Sequence, residues 1–346
     1  MSLYSEIFEQ PERLGQLLSS QRKAVEEIAA AIKRRRIQYV FLAARGTSDN
    51  AGRYANYLLG AMNRLPLALA TPSLFTYYER PPNLKGALVM AISQSGQSPD
   101  IVRVLQEGKH QDCLTLAITN APESPLARLA DFVLNIEAGP ELAVAATKTY
   151  TAELMAIAML STALSGGRSP EWKTLAKVPG WLQGALKNDQ PIAEAAQRFG
   201  TMLRCVVLGR GYNYSTAFEW ALKLKELAYV EAEPYSPADF RHGPIAMVER
   251  GYPVLAVVAD GRVAVSLLDL LRDLKQKLLA ELVVISNLDD ALSMAQTAIP
   301  LSAEIPEALT PLVSIVAGQL FAYHLTLDKG YDPEKPRTIS KVTETR

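Results

Sequence analysis

The strand-to-helix turns of this chain recur at a near-constant offset. Gly46 lines up with Gly211, Ser93 with Ala259 and Asn120 with Asn287, each pair about 165 residues apart. Each turn closes an apolar run of strand length and opens a helical pattern. Two copies of one α/β unit fit within 346 residues and account for the recurrence. With 49% hydrophobic and 21% charged residues, each copy can build a sizeable core.

Residues 12–35 read as one amphipathic helix, with Leu14, Leu17, Leu18, Val25, Ile28 and Ile32 among its apolar positions. Strands are expected over 37–43, 67–70, 87–92, 113–119 and 132–136, and helices over 50–62, 99–107 and 147–164. Ser165-Gly166-Gly167-Arg168-Ser169-Pro170 is the best linker candidate. The order then repeats, with strands over 204–208, 253–258 and 282–285 and a helix over 215–229. The expected division is a helical segment 1–36, a first unit 37–165, a second unit 171–330 and a tail 331–346.

One copy carries a candidate anion site. Ala87–Ile92 is a continuous apolar run, as in a strand buried on both faces. Ser93, Gln94, Ser95, Gly96, Gln97 and Ser98 follow, then a helix start with Ser98 as N-cap, Pro99 in the first turn and Asp100 at the positive end of the dipole. Backbone N–H groups, the helix dipole and the Ser and Gln side chains together suit a phosphate. An ordinary capped turn is the competing reading. The other copy has Ala259-Asp260-Gly261-Arg262 at the equivalent place and lacks the hydroxyls.

The other copy carries the reactive side chains. Glu219, Lys223 and Glu226 are spaced i, i+4, i+7 and share one helix face. Such charges also suit a solvated face with ion pairs, but the helix starts at a Gly-rich turn after a buried strand, where α/β sheets bind ligands. His242 lies in a Pro/Gly-bounded loop beside Arg241, and an imidazole suits proton transfer near neutral pH. The tail holding Lys341 has the composition of an exposed end.

Other classes are disfavoured. Lys+Arg and Asp+Glu are both 36, which argues against nucleic acid as the main partner. No uninterrupted apolar stretch reaches ~18 residues and the start lacks a basic-then-apolar pattern, so neither a membrane span nor a signal peptide is expected. Cys113 and Cys205 sit in apolar runs, as buried thiols of a reducing, cytoplasmic compartment would. His110, His242 and His324 are far apart, and no metal and no cofactor are expected. Gly209-x-Gly211 lacks the third glycine of a dinucleotide fingerprint, no Walker lysine is present, and no serine sits in a Gly-x-Ser-x-Gly elbow.

Taken together, the tandem units, Gly46-Thr47-Ser48, the Ser93–Ser98 loop, Leu222-Lys223-Leu224-Lys225-Glu226, Arg241-His242-Gly243-Pro244 and Pro336-Arg337…Lys341 resemble the SIS (sugar isomerase) domain family. Within it, the chain resembles the isomerase half of glucosamine-6-phosphate synthase and the stand-alone aminosugar-phosphate deaminases. The resemblance covers nearly the whole chain and implies tandem doubly wound, flavodoxin-like α/β domains, each a parallel sheet flanked by helices. It implies that Ser48, Ser93, Gln94, Ser95 and Ser98 bind a sugar phosphate and that Val144 contacts the sugar through its backbone. It assigns Glu226 as the base between C1 and C2, Lys223 as its assistant and His242 as the ring opener, supplied across a homodimer. It assigns Lys341 as the lysine that forms a Schiff base with the ketose.

There are departures from the synthases. Arg45 stands where they have cysteine and Ala146 where they have serine. No N-terminal cysteine nucleophile or glutaminase domain is expected of this chain, and the tail after Lys341 looks more like the deaminases. The expected reaction is therefore glucosamine 6-phosphate, or a close relative, to ketose 6-phosphate and ammonia. The alternatives are a synthase half fed by free ammonia, a plain aldose–ketose phosphate isomerase, a fructosamine-phosphate deglycase and a non-catalytic sugar-phosphate sensor.

Overall fold

The computed structural model describes residues 2–166 and 170–341. Part of the expected linker, 167–169, and the tail residues 342–346 lie outside the described residues. The chain forms two compact units. One holds Glu9–Leu142, Lys148–Lys177 and the tail from Ile339; the other holds the segment up to Phe8, Ala143–Thr147 and Val178–Thr338.

The first unit contains a sheet of β1 (Tyr39–Ala43), β2 (Leu67–Leu69), β3 (Ala87–Ile92), β4 (Leu114–Thr119) and β5 (Phe132–Asn135). All pairs are parallel and the order is β2-β1-β3-β4-β5. Every residue of β3 and β4 is buried, as expected of strands with helices on both faces. The helix Lys148–Ser165 is buried on all sides from Lys148 to Ser161 and packs against Gly46–Asn63 and Arg22–Arg34.

Residues 12–35 are not one helix. They belong to two, Leu3–Ser20 and Arg22–Arg34, broken at Gln21 (φ −96°, ψ 0°). The break falls at a residue that is neither Gly nor Pro, so the apolar period runs through it. Pro11, a usual stop signal, lies inside the first helix instead.

The second unit contains β6 (Arg204–Leu208), β7 (Glu231–Tyr235), β8 (Pro253–Val258), β9 (Glu281–Ser286) and β10 (Thr297–Pro300). Its order, β10-β9-β8-β6-β7, is the first sheet's order again, and all its pairs are parallel. Both are flavodoxin-like doubly wound sheets, with the switch point between β1 and β3 and between β6 and β8. The residue pattern does not announce β7 and β10. Both are edge strands, where Pro234, Pro300 and the acids of Glu-Ala-Glu-Pro-Tyr are tolerated. The helix Thr310–Asp328 is the counterpart of Lys148–Ser165. Glu307–Asp328 has the length and composition to cross a membrane, but its apolar window is 89% buried inside the fold, as a core helix is.

The repeat is legible down to single dihedral angles. Arg45 (φ −138°, ψ 154°) precedes Gly46 (φ +53°), and Arg210 (φ −139°, ψ 153°) precedes Gly211 (φ +63°). Arg64 and Tyr229 close the two following helices in the left-handed region, each N–H donating to a leucine carbonyl, Leu59 and Leu224. Ser48 donates to Glu153 at 2.8 Å in one unit, and Ser314 donates to Asn213 at 3.0 Å in the other.

Candidate active site

In the first unit the loop from Ser93 to Ser98 leaves the C-terminal end of β3 beside the switch point. Its own backbone is internally bonded. Ser93 Oγ accepts the Gly96 N–H at 3.1 Å, and Ser95 Oγ accepts the Gln97 N–H at 3.3 Å. Used as acceptors, both hydroxyls keep a proton to donate to an anion. The Gln94 carbonyl accepts the Asn120 N–H at 3.2 Å and the Thr119 hydroxyl at 3.3 Å, tying the loop to β4. Gly96 has φ +61°, and a Cβ there would stand 2.0 Å from Ser124 Oγ. Only glycine fits this corner.

The helix Pro99–His110 follows. Ser98 occupies the N-cap position with an extended backbone (φ −63°, ψ 112°), but its side chain makes no capping hydrogen bond, contrary to the sequence expectation. Asp100 accepts the Ile101 N–H at 2.9 Å instead. Asp100 is 1% exposed and would repel an anion held at this helix start. The Arg45 guanidinium, from the turn after β1, pairs with it at 2.8 Å and offsets that charge. Ser48, on the helix after β1, is buried and turned to the buried carboxylate of Glu153. An anion reaching Ser48 would compete with Glu153 for its single proton.

The second unit fills the equivalent place with its own carboxylate. The Arg262 N–H donates to Glu307 Oε2 at 3.2 Å, and a Cβ on Gly261 would lie 2.2 Å from the Glu307 carboxyl carbon. Arg210, the counterpart of Arg45, donates to Ser266, which replaces the acid. The loop without the hydroxyls is thus closed by an internal carboxylate.

Glu219, Lys223 and Glu226 form one cluster on the helix Tyr214–Ala228. Lys223 Nζ lies 3.3 Å from Glu219 and 2.5 Å from Glu226. The solvated-face alternative fails, because the side chains of Glu219 and Lys223 are 0% and 1% exposed; Glu226, at 24%, is the member open to a small molecule. Burial alone would push the Lys223 ammonium down. The charges of Glu219 and Glu226 and their hydrogen bonds overcome that and hold it above the ordinary lysine range. Lys223 is therefore a fixed cation beside the Glu226 side chain. The cluster does not sit at the Gly-rich turn that motivated it, since Glu226 is twelve residues beyond Tyr214, roughly 18 Å along the helix.

His242 ends the short helix Pro237–Arg241 and is exposed, while Arg241 is paired with Asp273 at 3.0 Å. Val144 is half-buried in the segment 143–147, which the Glu6 carboxylate joins by accepting the Ala143 N–H at 3.3 Å. Lys341 is not a free exposed end. Its Nζ donates to Glu141 Oε2 at 2.7 Å. The cradle residues, Ser48 and Lys341 belong to the first unit, and Glu226, Lys223, His242 and Val144 to the second. Sequence reasoning missed Glu141, Glu153 and Glu307. Each is an isolated acid in an unremarkable context, and no spacing signals it. Cys113 and Cys205 are both free and buried, and among the described residues no His/Cys/Asp/Glu group could hold a metal ion.

The SIS domain model matches residues 33–163 and 203–328. Glutamine–fructose-6-phosphate aminotransferase [isomerizing] of Thermococcus kodakarensis is 33% identical over 347 residues, covering 98% of this chain. The chain spans only 57% of the length of that relative. Among solved structures, the C-terminal domain of glucosamine-fructose-6-phosphate aminotransferase from Francisella tularensis superposes with TM-score 0.84 at 28% identity, covering 96% of this chain and 98% of that one. Glucosamine-6-phosphate deaminase from Thermotoga maritima superposes with TM-score 0.83 over the whole of both chains, at 20% identity.

Proposed function

The chain belongs to the SIS domain family, and from that premise we propose that it is a sugar-phosphate isomerase whose substrate is an aminosugar 6-phosphate, released as ketose 6-phosphate and ammonia. The observation that carries this reading is the buried Glu219–Lys223–Glu226 cluster, which offers one carboxylate outward next to a permanent cation. A carboxylate held near a carbon acid can move its proton, and an adjacent ammonium stabilises the enediol oxygen that develops. In this reading the Ser93, Gln94, Ser95 and Ser98 loop and Ser48 hold the phosphate, Val144 positions the sugar and His242 opens the ring. Glu226 carries the proton between C2 and C1, and Lys341 condenses with the ketose carbonyl.

Glucosamine 6-phosphate, its galactosamine epimer and the N-acetylated sugar, each followed for ammonia and ketose phosphate, test the substrate. Ammonia with ketose phosphate from an unsubstituted aminosugar is the expected outcome. Aldose–ketose interconversion without ammonia would replace the deaminase reading with a plain isomerase.

The loop is expected to set affinity. Ser95→Ala and Ser98→Ala should mainly raise KM, because phosphate is held alike in ground and transition states. Each hydroxyl lost to a charged partner is expected to cost ~1.5–3 kcal/mol. An unchanged KM in the double variant removes the loop from the site.

The exposure of His242 suits a role toward a second copy of the chain. A mixture of Glu226→Gln and His242→Ala, each inactive alone, should regain activity through heterodimers with one intact site. If subunits exchange and activity does not return, His242 does not act across an interface.

A further inference from the structure

Glu141 is a carboxylate with a buried side chain, placed just before the long core helix of the first unit. Its side chain is 0% exposed. It accepts the Thr149 N–H at 3.2 Å, the Thr149 hydroxyl at 2.9 Å and the Lys341 ammonium at 2.7 Å. The first two bonds fix it to the first turn of the helix Lys148–Ser165, where an acid is favoured by the dipole. The third ties a residue 200 positions away to Oε2, the oxygen that the Thr149 hydroxyl also reaches. A carboxylate taken out of water needs such partners, and removing a cation from one is strongly unfavourable.

We propose that Glu141 serves Lys341 in two ways: it docks the C-terminal tail, and it takes the lysine's proton when the amine attacks a ketose carbonyl. The inference rests on the Schiff-base role given to Lys341 above. An ammonium is not a nucleophile, so Nζ must lose a proton before it adds. Glu141 Oε2 is within the distance at which a proton is passed. The nitrogen lone pair then forms the C–N bond to C2 while the carbonyl π pair moves to oxygen. That oxygen is protonated twice, once from the new C–N nitrogen and once from Glu141, and leaves as water. Ammonium plus carbonyl becomes protonated imine plus water, and Glu141 ends as the carboxylate it began as.

The test is borohydride trapping of the full chain with fructose 6-phosphate, read by mass spectrometry at Lys341. Glu141→Gln keeps an oxygen for the Thr149 N–H but cannot take a proton. It should trap at least tenfold more slowly than wild type, with inhibition by inorganic phosphate unchanged, and Glu141→Asp should recover part of the rate. Trapping at the wild-type rate in Glu141→Gln overturns this inference alone. Wild type that does not label at Lys341 overturns the Schiff-base reading and this inference with it. A second measurement does not depend on the Glu141 variants folding. Cleavage by trypsin after Arg337 should quicken in Lys341→Met, which loses the ion pair, and stay near wild type in Lys341→Arg, which retains it. Equal cleavage in all three proteins overturns the docking role.

Discussion

Replacing Glu226 with glutamine is expected to lower kcat by at least ~10²-fold with little change in KM, the usual scale for loss of a general base. The amide keeps the shape of the side chain and can still accept the hydrogen bond that Lys223 makes at 2.5 Å. It has no basic oxygen, so only the proton-transfer step is removed. The fold should survive, because the change leaves Glu219 and Lys223 paired at 3.3 Å. Glu219 cannot stand in for the missing base, since its side chain is 0% exposed. Steady-state kinetics on a hexose 6-phosphate check this, and a loss in KM with kcat preserved would place Glu226 in binding.

Lys223→Met should produce the largest loss of stability of any change at the site. It leaves the buried Glu219 carboxylate without that cation, and breaking a buried pair from one side typically costs ~3–5 kcal/mol. In wild type the sign with pH is fixed by the direction of the Lys223 shift. Its folded value lies above that of an unfolded lysine. Its contribution is therefore full below about pH 10.4 and is lost as pH rises through the folded value. Urea unfolding of Lys223→Met near neutral pH measures the loss. The double variant Lys223→Met/Glu219→Gln should recover much of it, because position 219 then carries no buried negative charge that had relied on the lysine. A single-variant loss below ~1 kcal/mol would mean the cluster is hydrated and the cation dispensable.

The strands most easily read from the sequence are the interior ones. β3 is six consecutive apolar residues between turn signals and is buried throughout. β7 escapes the same reading because an edge strand needs no continuous apolar run, and Glu-Ala-Glu-Pro-Tyr has none. The split of the first helix at Gln21 is silent for a related reason: both pieces bury one face, so the period does not falter. At the site, spacing alone put Glu219, Lys223 and Glu226 on one face, and the packing of that face decided between solvent and cluster. The partners of Ser48 and Lys341 were not legible. Glu153 and Glu141 are brought to them by tertiary packing across 105 and 200 positions, where no local pattern reaches.

The central claim is open-chain proton transfer by Glu226, and the exchange of sugar hydrogen with solvent reports it most directly. Wild-type protein incubated with the sugar phosphate in deuterium oxide should place deuterium at C1 of the ketose or C2 of the aldose, followed by NMR. In Glu226→Gln the incorporation should fall with kcat. Exchange at the wild-type rate in that variant would contradict the account and give the proton to another group.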